Sequence, residues 1–476
     1  MKKPWSRPVG FLFFLVLLPF PAFSQAVTID FSGKAGRIRA LQGVNAGPLS
    51  YRGVVDLSVY FREMAPPLAR LHDVPWGNFY AVDVSLVFPD FRDDPRRAEN
   101  YDFAPTDDYI AALVKAGVPI LYRLGESIEH TPRKYRVHPP GDFRKWAEVC
   151  CGIVRHYNEG WAGGFQYGIR YWEIWNEPDN KPAMWTGTDE QFLKFFEVTA
   201  RTIKKGRPGL KVGGPALADA GRLKGGKFVP SRYARLFLSY CRENHVPLDF
   251  FSWHRYTKDP SEYAPLAEGV RKMLDQYGFT KTESHLNEWN YLPRGDWRPL
   301  TKGGQGLPRQ KWLAEMGGPR GAAFDAWVLL ALQWEPVDMA NFFTADTQML
   351  GLFTPDGVPK KNFYAFKAFR MLLDTPERVR TPRPEKGKVA LCAGLGAGGK
   401  RAAILLSNFY PGCEPPVLVI RNLPWKGPVR FEVFLLDGKH DLDPVRGGTL
   451  DGEGHLPLKE LQPPSVALVR LETLRK

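Results

Sequence analysis

The chain has 476 residues, too many for one small domain and enough for a large barrel carrying an accessory module. Apolar residues make up 44% and charged residues 24%, which excludes a disordered or fibrous chain. The net charge of +14 is scattered singly rather than gathered in runs. That argues against a nucleic-acid partner and leaves an acidic polysaccharide, an anionic surface or plain solubility as reasons for the sign.

The N-terminus reads as a targeting segment. Lys2, Lys3 and Arg7 are basic, residues 11–20 are apolar, and Ala22-Phe-Ser24 is a small-x-small cleavage site. This predicts a signal peptide over 1–24 and a secreted or periplasmic protein. The run is too short to span a bilayer and Pro19 and Pro21 interrupt it, so no stable membrane insertion is expected after cleavage.

Short apolar strands then alternate with amphipathic helices, the grammar of a parallel βα fold. Strands are predicted at 40–45, 68–72, 118–124, 171–176, 210–214, 249–254, 284–289 and 337–343. Helices fit between and after them at 107–116, with Thr106 as N-cap, and at 143–156, 189–205, 232–243, 268–277, 322–332 and 362–373. Eight βα units predict a (β/α)8 TIM barrel over 36–374. Three insertions, 74–105, 125–142 and 293–320, are Pro-rich or Gly-rich and poorly periodic. Each follows a strand C-terminus, where it would build the rim of a cleft.

Beyond Pro376 the pattern changes to strands split by Gly and Pro turns, at 389–395, 401–408, 416–421, 429–435 and 465–471. This predicts a C-terminal β-sandwich domain over 377–476, with residues 25–35 joining it through a strand at 27–31. The run 394–399 is Gly-rich but opens no helix, so it reads as a sandwich turn.

Two strand ends carry acids. Strand four runs Tyr171-Trp-Glu-Ile-Trp-Asn-Glu-Pro178 and places Glu177 at its C-terminal end. Strand seven runs His285-Leu-Asn-Glu-Trp289 and places Glu288 likewise. Barrel enzymes keep their chemistry at strand C-termini, and strands four and seven face each other across the mouth. Two opposed carboxylates are what glycoside hydrolysis needs: one protonates the leaving oxygen and the other attacks the anomeric carbon. Glu173 shares the parity of Glu177 one layer deeper and reads as half of a buried ion pair. Glu126 and Glu129 read as rim acids, and His130, His138 and His156 as surface or satisfied polar groups.

The Asn-Glu-Pro and Glu-Trp pair resembles the large clan of retaining barrel glycosidases. The closer resemblance is to glycoside hydrolase family 39, which includes β-xylosidases and α-L-iduronidase. It rests on Trp172-Glu-Ile-Trp-Asn-Glu-Pro178, Leu210-Lys-Val-Gly-Gly-Pro-Ala216, Asp249-Phe-Phe-Ser-Trp-His-Arg-Tyr256, Asn287-Glu-Trp289 and Gly351-Leu-Phe-Thr-Pro-Asp-Gly-Val-Pro-Lys360. The resemblance implies Glu177 as general acid/base, Glu288 as nucleophile and Asn176 as a ligand of the sugar 2-hydroxyl. His72, His254 and Tyr256 look like substrate-binding residues, and Trp289 with Phe342 or Phe343 like walls of the subsite. Tyr256 stands where iduronidase-type members carry a uronate-binding Lys, which favours a neutral sugar at the cleaved position.

The implied function is a retaining glycoside hydrolase acting on an oligo- or polysaccharide. A transglycosylase using the same carboxylates, or a non-catalytic carbohydrate-binding protein on this scaffold, are the alternatives. No zinc, calcium, phosphate-loop or dinucleotide motif occurs, and neither metal nor cofactor is expected. The five cysteines, 150, 151, 241, 392 and 413, read as buried free thiols, with a Cys392–Cys413 bridge as an option in an oxidising compartment.

Overall fold

The computed structural model describes residue 1 and residues 26–50, 54–76, 79–301, 304–451 and 454–474. The expected signal peptide lies outside the described residues apart from Met1. No described helix is long and apolar enough to cross a membrane.

Eight parallel strands close into a barrel. In chain order they are β1 (Gly43–Asn45), β2 (Ala69–Leu71), β3 (Ile120–Leu124), β4 (Tyr171–Ile174), β5 (Lys211–Leu217), β6 (Phe250–Thr257), β7 (Glu283–Tyr291) and β8 (Met339–Phe342). All eight fall within or across the segments expected from the sequence. Leu68, Leu121 and Phe250 plug the lower barrel, while outward residues such as Trp172, Trp253 and Leu286 meet the helices. This alternation follows from the two-residue period of a strand.

The helices follow their local signals. Helix Asp189–Gly206 opens on a capping box: Thr188 Oγ1 accepts from the Gln191 amide while Gln191 Oε1 accepts from the Thr188 amide. The expected Thr106 cap is corrected. That helix spans Ala104–Lys115 with Pro105 in its first turn, and Thr106 is buried inside it, accepting from the Val82 amide. The insertion 293–320 also holds a helix, Leu307–Gly317, whose weak amphipathic pattern hid it.

The C-terminal strands are β9 (Glu377–Val379), β10 (Ala390–Leu395), β11 (Arg401–Asn408), β12 (Val417–Arg421), β13 (Val429–Leu436), β14 (Asp441–Leu450), β15 (Gly454–Pro457) and β16 (Ser465–Thr473). A seven-stranded sheet runs Lys34–Arg37, β9, β10, β11, β16, β13, β14. Ala26–Asp30, β12 and β15 form the second sheet, with Ala26–Asp30 parallel to β12. Strand Lys34–Arg37 pairs with β9, so chain on both sides of residue 36 is built into this sheet. Strands β14 and β15 escape sequence detection because β14 is mostly exposed and rich in Gly and Pro, without a buried stripe.

The central strands β10 and β11 of the larger sheet are buried on both faces. Ile404 and Leu406 face the sandwich interior, whereas Leu405 faces the barrel side. Helix Pro319–Ala331 lies against that outer face and is buried along its whole length from Gly321. Such a helix has no polar face because apolar layers enclose it. Ser407 donates to its Ala323 carbonyl at 2.6 Å. All five cysteines are free, so Cys392 and Cys413 are unbridged.

Candidate active site

The site forms at the C-terminal mouth of the barrel, where β4, β6 and β7 end. Glu177 follows β4 in a turn whose backbone is strained: Trp175 and Glu177 have φ of 70° and 43°. Left-handed backbone at non-Gly residues costs energy and concentrates at functional sites. The turn is pinned by neighbours. The Trp175 amide donates to Leu124 O, the Glu177 amide to Ala216 O, and Trp175 Nε1 to Met184 O.

Glu288 is aimed by an irregularity in β7. Trp253 of β6 pairs with Leu286, but the next residue, His254, pairs with Glu288. Asn287 is therefore an extra residue, a β-bulge. Glu283, His285 and Asn287 point into the barrel by strict alternation: His285 stacks on Phe250 and Asn287 Nδ2 donates to Glu173. Without the bulge Glu288 would point outward. With it Glu288 points in, and Trp289 takes the outward position.

Two sequence expectations are corrected by this parity. Trp289 is fully buried and its ring packs on Phe342, Tyr263 and Phe366 of helix Lys361–Leu372, on the outer side of the barrel. Phe342 lies in the same layer, 5.2 Å from Phe366. Neither is a wall of the sugar subsite. Phe343, the next residue, faces the other way, with its ring 6.5 Å from that of His72.

The other expected residues converge. One acceptor atom each from Glu177, His254 and Glu288 lies within 4.8 Å of the others. His254 Nδ1 is 2.8 Å from Glu177 Oε1 and 3.6 Å from Glu288 Oε2. Tyr256 donates to Glu288 Oε1 at 2.6 Å, and Asn180 Nδ2 donates to Glu177 Oε2 at 2.9 Å. Asn176 Oδ1 accepts from Arg70 Nη2 at 2.6 Å. His72 is buried beside the mouth, its Nε2 3.4 Å from Asp73 and its Nδ1 without a hydrogen-bond partner among the described residues. These three acid and imidazole groups also have a cation's donor types, but the same closeness is what a carboxylate pair with a shared imidazole requires.

Arg70 was not singled out from the sequence and proves to be the hub. It is fully buried, and it reaches Glu173 at 2.6 Å, Asn45 at 3.1 Å and Glu288 at 3.2 Å besides Asn176. Glu173 is thus the buried ion-pair partner its parity suggested; Ser252 also donates to it at 2.6 Å. The signal for Arg70 was its place on β2, one residue from the end and two before His72.

Burial pushes both carboxyls above their ordinary range. On Glu288 the nearby Arg70 guanidinium and the Tyr256 hydroxyl oppose that rise, while Glu177 adds to it. On Glu177 the Asn180 amide opposes it. Burial lowers His254 to about 4, so its imidazole is neutral at neutral pH.

Residues 81–287 match the family model for glycosyl hydrolases family 39. A β-xylosidase from Geobacillus stearothermophilus is 29% identical over 267 residues, covering 51% of this chain and 49% of that protein. A β-xylosidase from Caldicellulosiruptor saccharolyticus is 31% identical over 180 residues, covering 34% and 33%. The chain therefore matches about half or less of the length of these curated relatives. The crystal structure of a glucosidase from Croceicoccus marinus superposes with a TM-score of 0.78 at 26% identity, over 95% of this chain and 100% of that one.

Proposed function

We propose that this chain is a member of glycosyl hydrolases family 39 and a retaining glycosidase acting on an oligo- or polysaccharide, with Glu288 as nucleophile and Glu177 as general acid/base. The observation that carries the reading is the approach of the two carboxylates to within 4.8 Å. Retaining enzymes hold theirs about 5–5.5 Å apart, and inverting enzymes leave room for a water between them.

The environments divide the roles. Arg70 and Tyr256 stabilise the ionised form of Glu288, which then attacks the anomeric carbon. Glu177, largely enclosed and bonded to Asn180 and the neutral His254, carries the proton. It gives that proton to the glycosidic oxygen as the C–O bond breaks. In the second half the Glu177 carboxylate takes a proton from water, the water oxygen attacks the anomeric carbon, and the ester bond to Glu288 breaks. Asn176 is oriented by Arg70 so that its Nδ2 is left to donate to a sugar hydroxyl. The presence of both acids, each with its own partners, favours catalysis over mere binding.

The named activities of the relatives make β-xylosides and glucosides the first substrates to try. The basic and apolar N-terminal segment supports export, which suits a polysaccharide substrate. Proton NMR of an aryl glycoside digest tests the mechanism: the first sugar released should keep the anomeric configuration of the substrate. First release of the opposite anomer would overturn it.

A further inference from the structure

The insertion after β7 carries features that the chemistry at Glu177 and Glu288 does not use. It begins at Leu292, whose amide donates to Thr257 O at the end of β6, so it starts at the barrel mouth. Trp297 in this insertion is 42% exposed, and its ring meets that of Tyr256 edge-on at 4.9 Å. Tyr256 in turn bonds Glu288. An exposed indole one ring away from the partner of Glu288 offers a flat apolar face on which a sugar ring can stack.

The same insertion is rich in cations. Arg294, Arg298 and Lys311 line a cavity of about 260 Å³ whose floor includes Trp312. Trp312 Nε1 donates to Asp296 O, which ties the insertion's helix to its entry loop. Lys258, just past the end of β6, runs its stem along Gly295, about 3.7 Å from where a Cβ would sit. Asp296 is engaged by Arg298, and Glu315 lies at 3.9 Å from Arg294. Lys258 and Lys311 are exposed and have no ion-pair partner among the described residues; Lys258 lies against Gly295, two residues before Trp297, and Lys311 shares its cavity with Asp296 and Arg298, which adjoin Trp297 in the chain. By contrast, Arg70, buried within the site, is enclosed by Glu173, Glu288, Asn45 and Asn176 and is closed to a substrate carboxylate.

We propose that Trp297 with Lys258, Arg294 and Lys311 forms a subsite for an anionic sugar residue next to the cleaved bond, so that the substrate is an acidic polysaccharide cut at a neutral sugar. This deepens the glycosidase reading and rests on it. Tyr256 and the enclosed Arg70 leave the cleaved position without a free cation, while the rim supplies carboxylate-binding charge beside a stacking surface.

The test uses the full chain in a Glu288→Gln background, to stop turnover, and polymer pairs that differ only in charge. The pairs are pectate with methyl-esterified pectin, and glucuronoxylan with the same xylan stripped of its uronates. Retardation in affinity gels at about 20 and about 200 mM salt reads binding. For at least one pair the charged member should bind roughly 10-fold tighter at low salt, with the advantage shrinking at high salt. Lys258→Glu/Lys311→Glu should abolish that advantage. Lys426→Glu/Lys439→Glu, on the sandwich, makes the same change in net charge and should alter it less than about 2-fold. Equal binding within every pair, or equal loss in both double variants, would overturn the proposal. Hydrolysis of aryl glycosides by the unaltered chain is measured alongside. If hydrolysis holds while charge preference is absent, only the anionic subsite fails; if no glycoside is cleaved, the glycosidase reading fails.

Discussion

The guanidinium of Arg70 lies 3.2 Å from Oε2 of Glu288 while its Nε is 2.6 Å from Glu173. One buried cation therefore holds Glu288 and a structural acid one layer deeper. Arg70→Met leaves two buried carboxylates without their partner. Breaking such a pair costs about 3–5 kcal/mol. The variant should melt well below the parent and lack activity. Arg70→Lys keeps the charge but not the fork that reaches Asn45 and Asn176, so it should fold better than the Met variant and still be strongly impaired. Thermal melts and kcat/KM on one aryl glycoside check both; a fully active Arg70→Lys would contradict the positioning role.

Tyr256→Phe removes one hydrogen bond to a carboxylate, worth about 1.5–3 kcal/mol, and should lower kcat/KM roughly 10- to 100-fold. That bond holds the Glu288 pKa down. Its loss raises the pKa, so the acidic limb of the pH–rate profile, where Glu288 must ionise, should move to higher pH. An unshifted limb would separate Tyr256 from Glu288.

Asn180→Ala acts on the other limb. Its amide opposes the rise of Glu177 that burial causes. Without it the acid/base should keep its proton to higher pH, moving the basic limb of kcat/KM upward by about one unit. A downward shift would contradict the assignment of the proton to Glu177.

Stability should fall with rising pH. Burial raises Asp73 to about 6, Asp179 to about 7 and Glu126 to about 8, from ordinary values of 3.8 for the Asp residues and 4.5 for Glu126. The folded state binds these protons more tightly than the unfolded state. Their contribution is complete below the unfolded values and is lost as pH rises through the folded ones. Melting temperature should therefore drop between pH 5 and 9, and Glu126→Gln, which keeps the shape without the charge, should flatten the upper part of that drop. Parallel curves for parent and variant would contradict the burial of an acid there.

Trp289→Phe and Phe343→Ala separate the two sides of the barrel wall. The first thins the packing against Phe342 and Phe366 and should lower stability by about 1–3 kcal/mol with KM within about 2-fold of the parent. The second should raise KM instead, because Phe343 lies toward His72.

These contrasts show where the sequence is informative. All eight barrel strands were legible because apolar period and Gly or Pro punctuation are local signals. The acids at Glu177 and Glu288 were legible because each closes a predicted strand, Glu177 after an apolar run and Glu288 inside Asn-Glu-Trp. The direction of Trp289 was not, because the bulge at Asn287 is specified by what β6 and β8 pair with, not by β7 alone. Arg70 was hidden in a three-residue strand, where a single buried cation carries no periodic signal. Its partners come from positions 45, 173, 176 and 288, which only the closed barrel brings together. Trp297 sat in a segment without period, and its value appears only in its contact with Tyr256.

The central claim is that Glu288 forms the covalent bond and Glu177 moves the proton, and azide rescue tests it most directly. Glu177→Ala, given an aryl glycoside with a good leaving group and azide, should yield the glycosyl azide of retained configuration, and Glu288→Ala the inverted azide. The opposite pairing would exchange the roles, and near-normal turnover by either variant without azide would contradict the account.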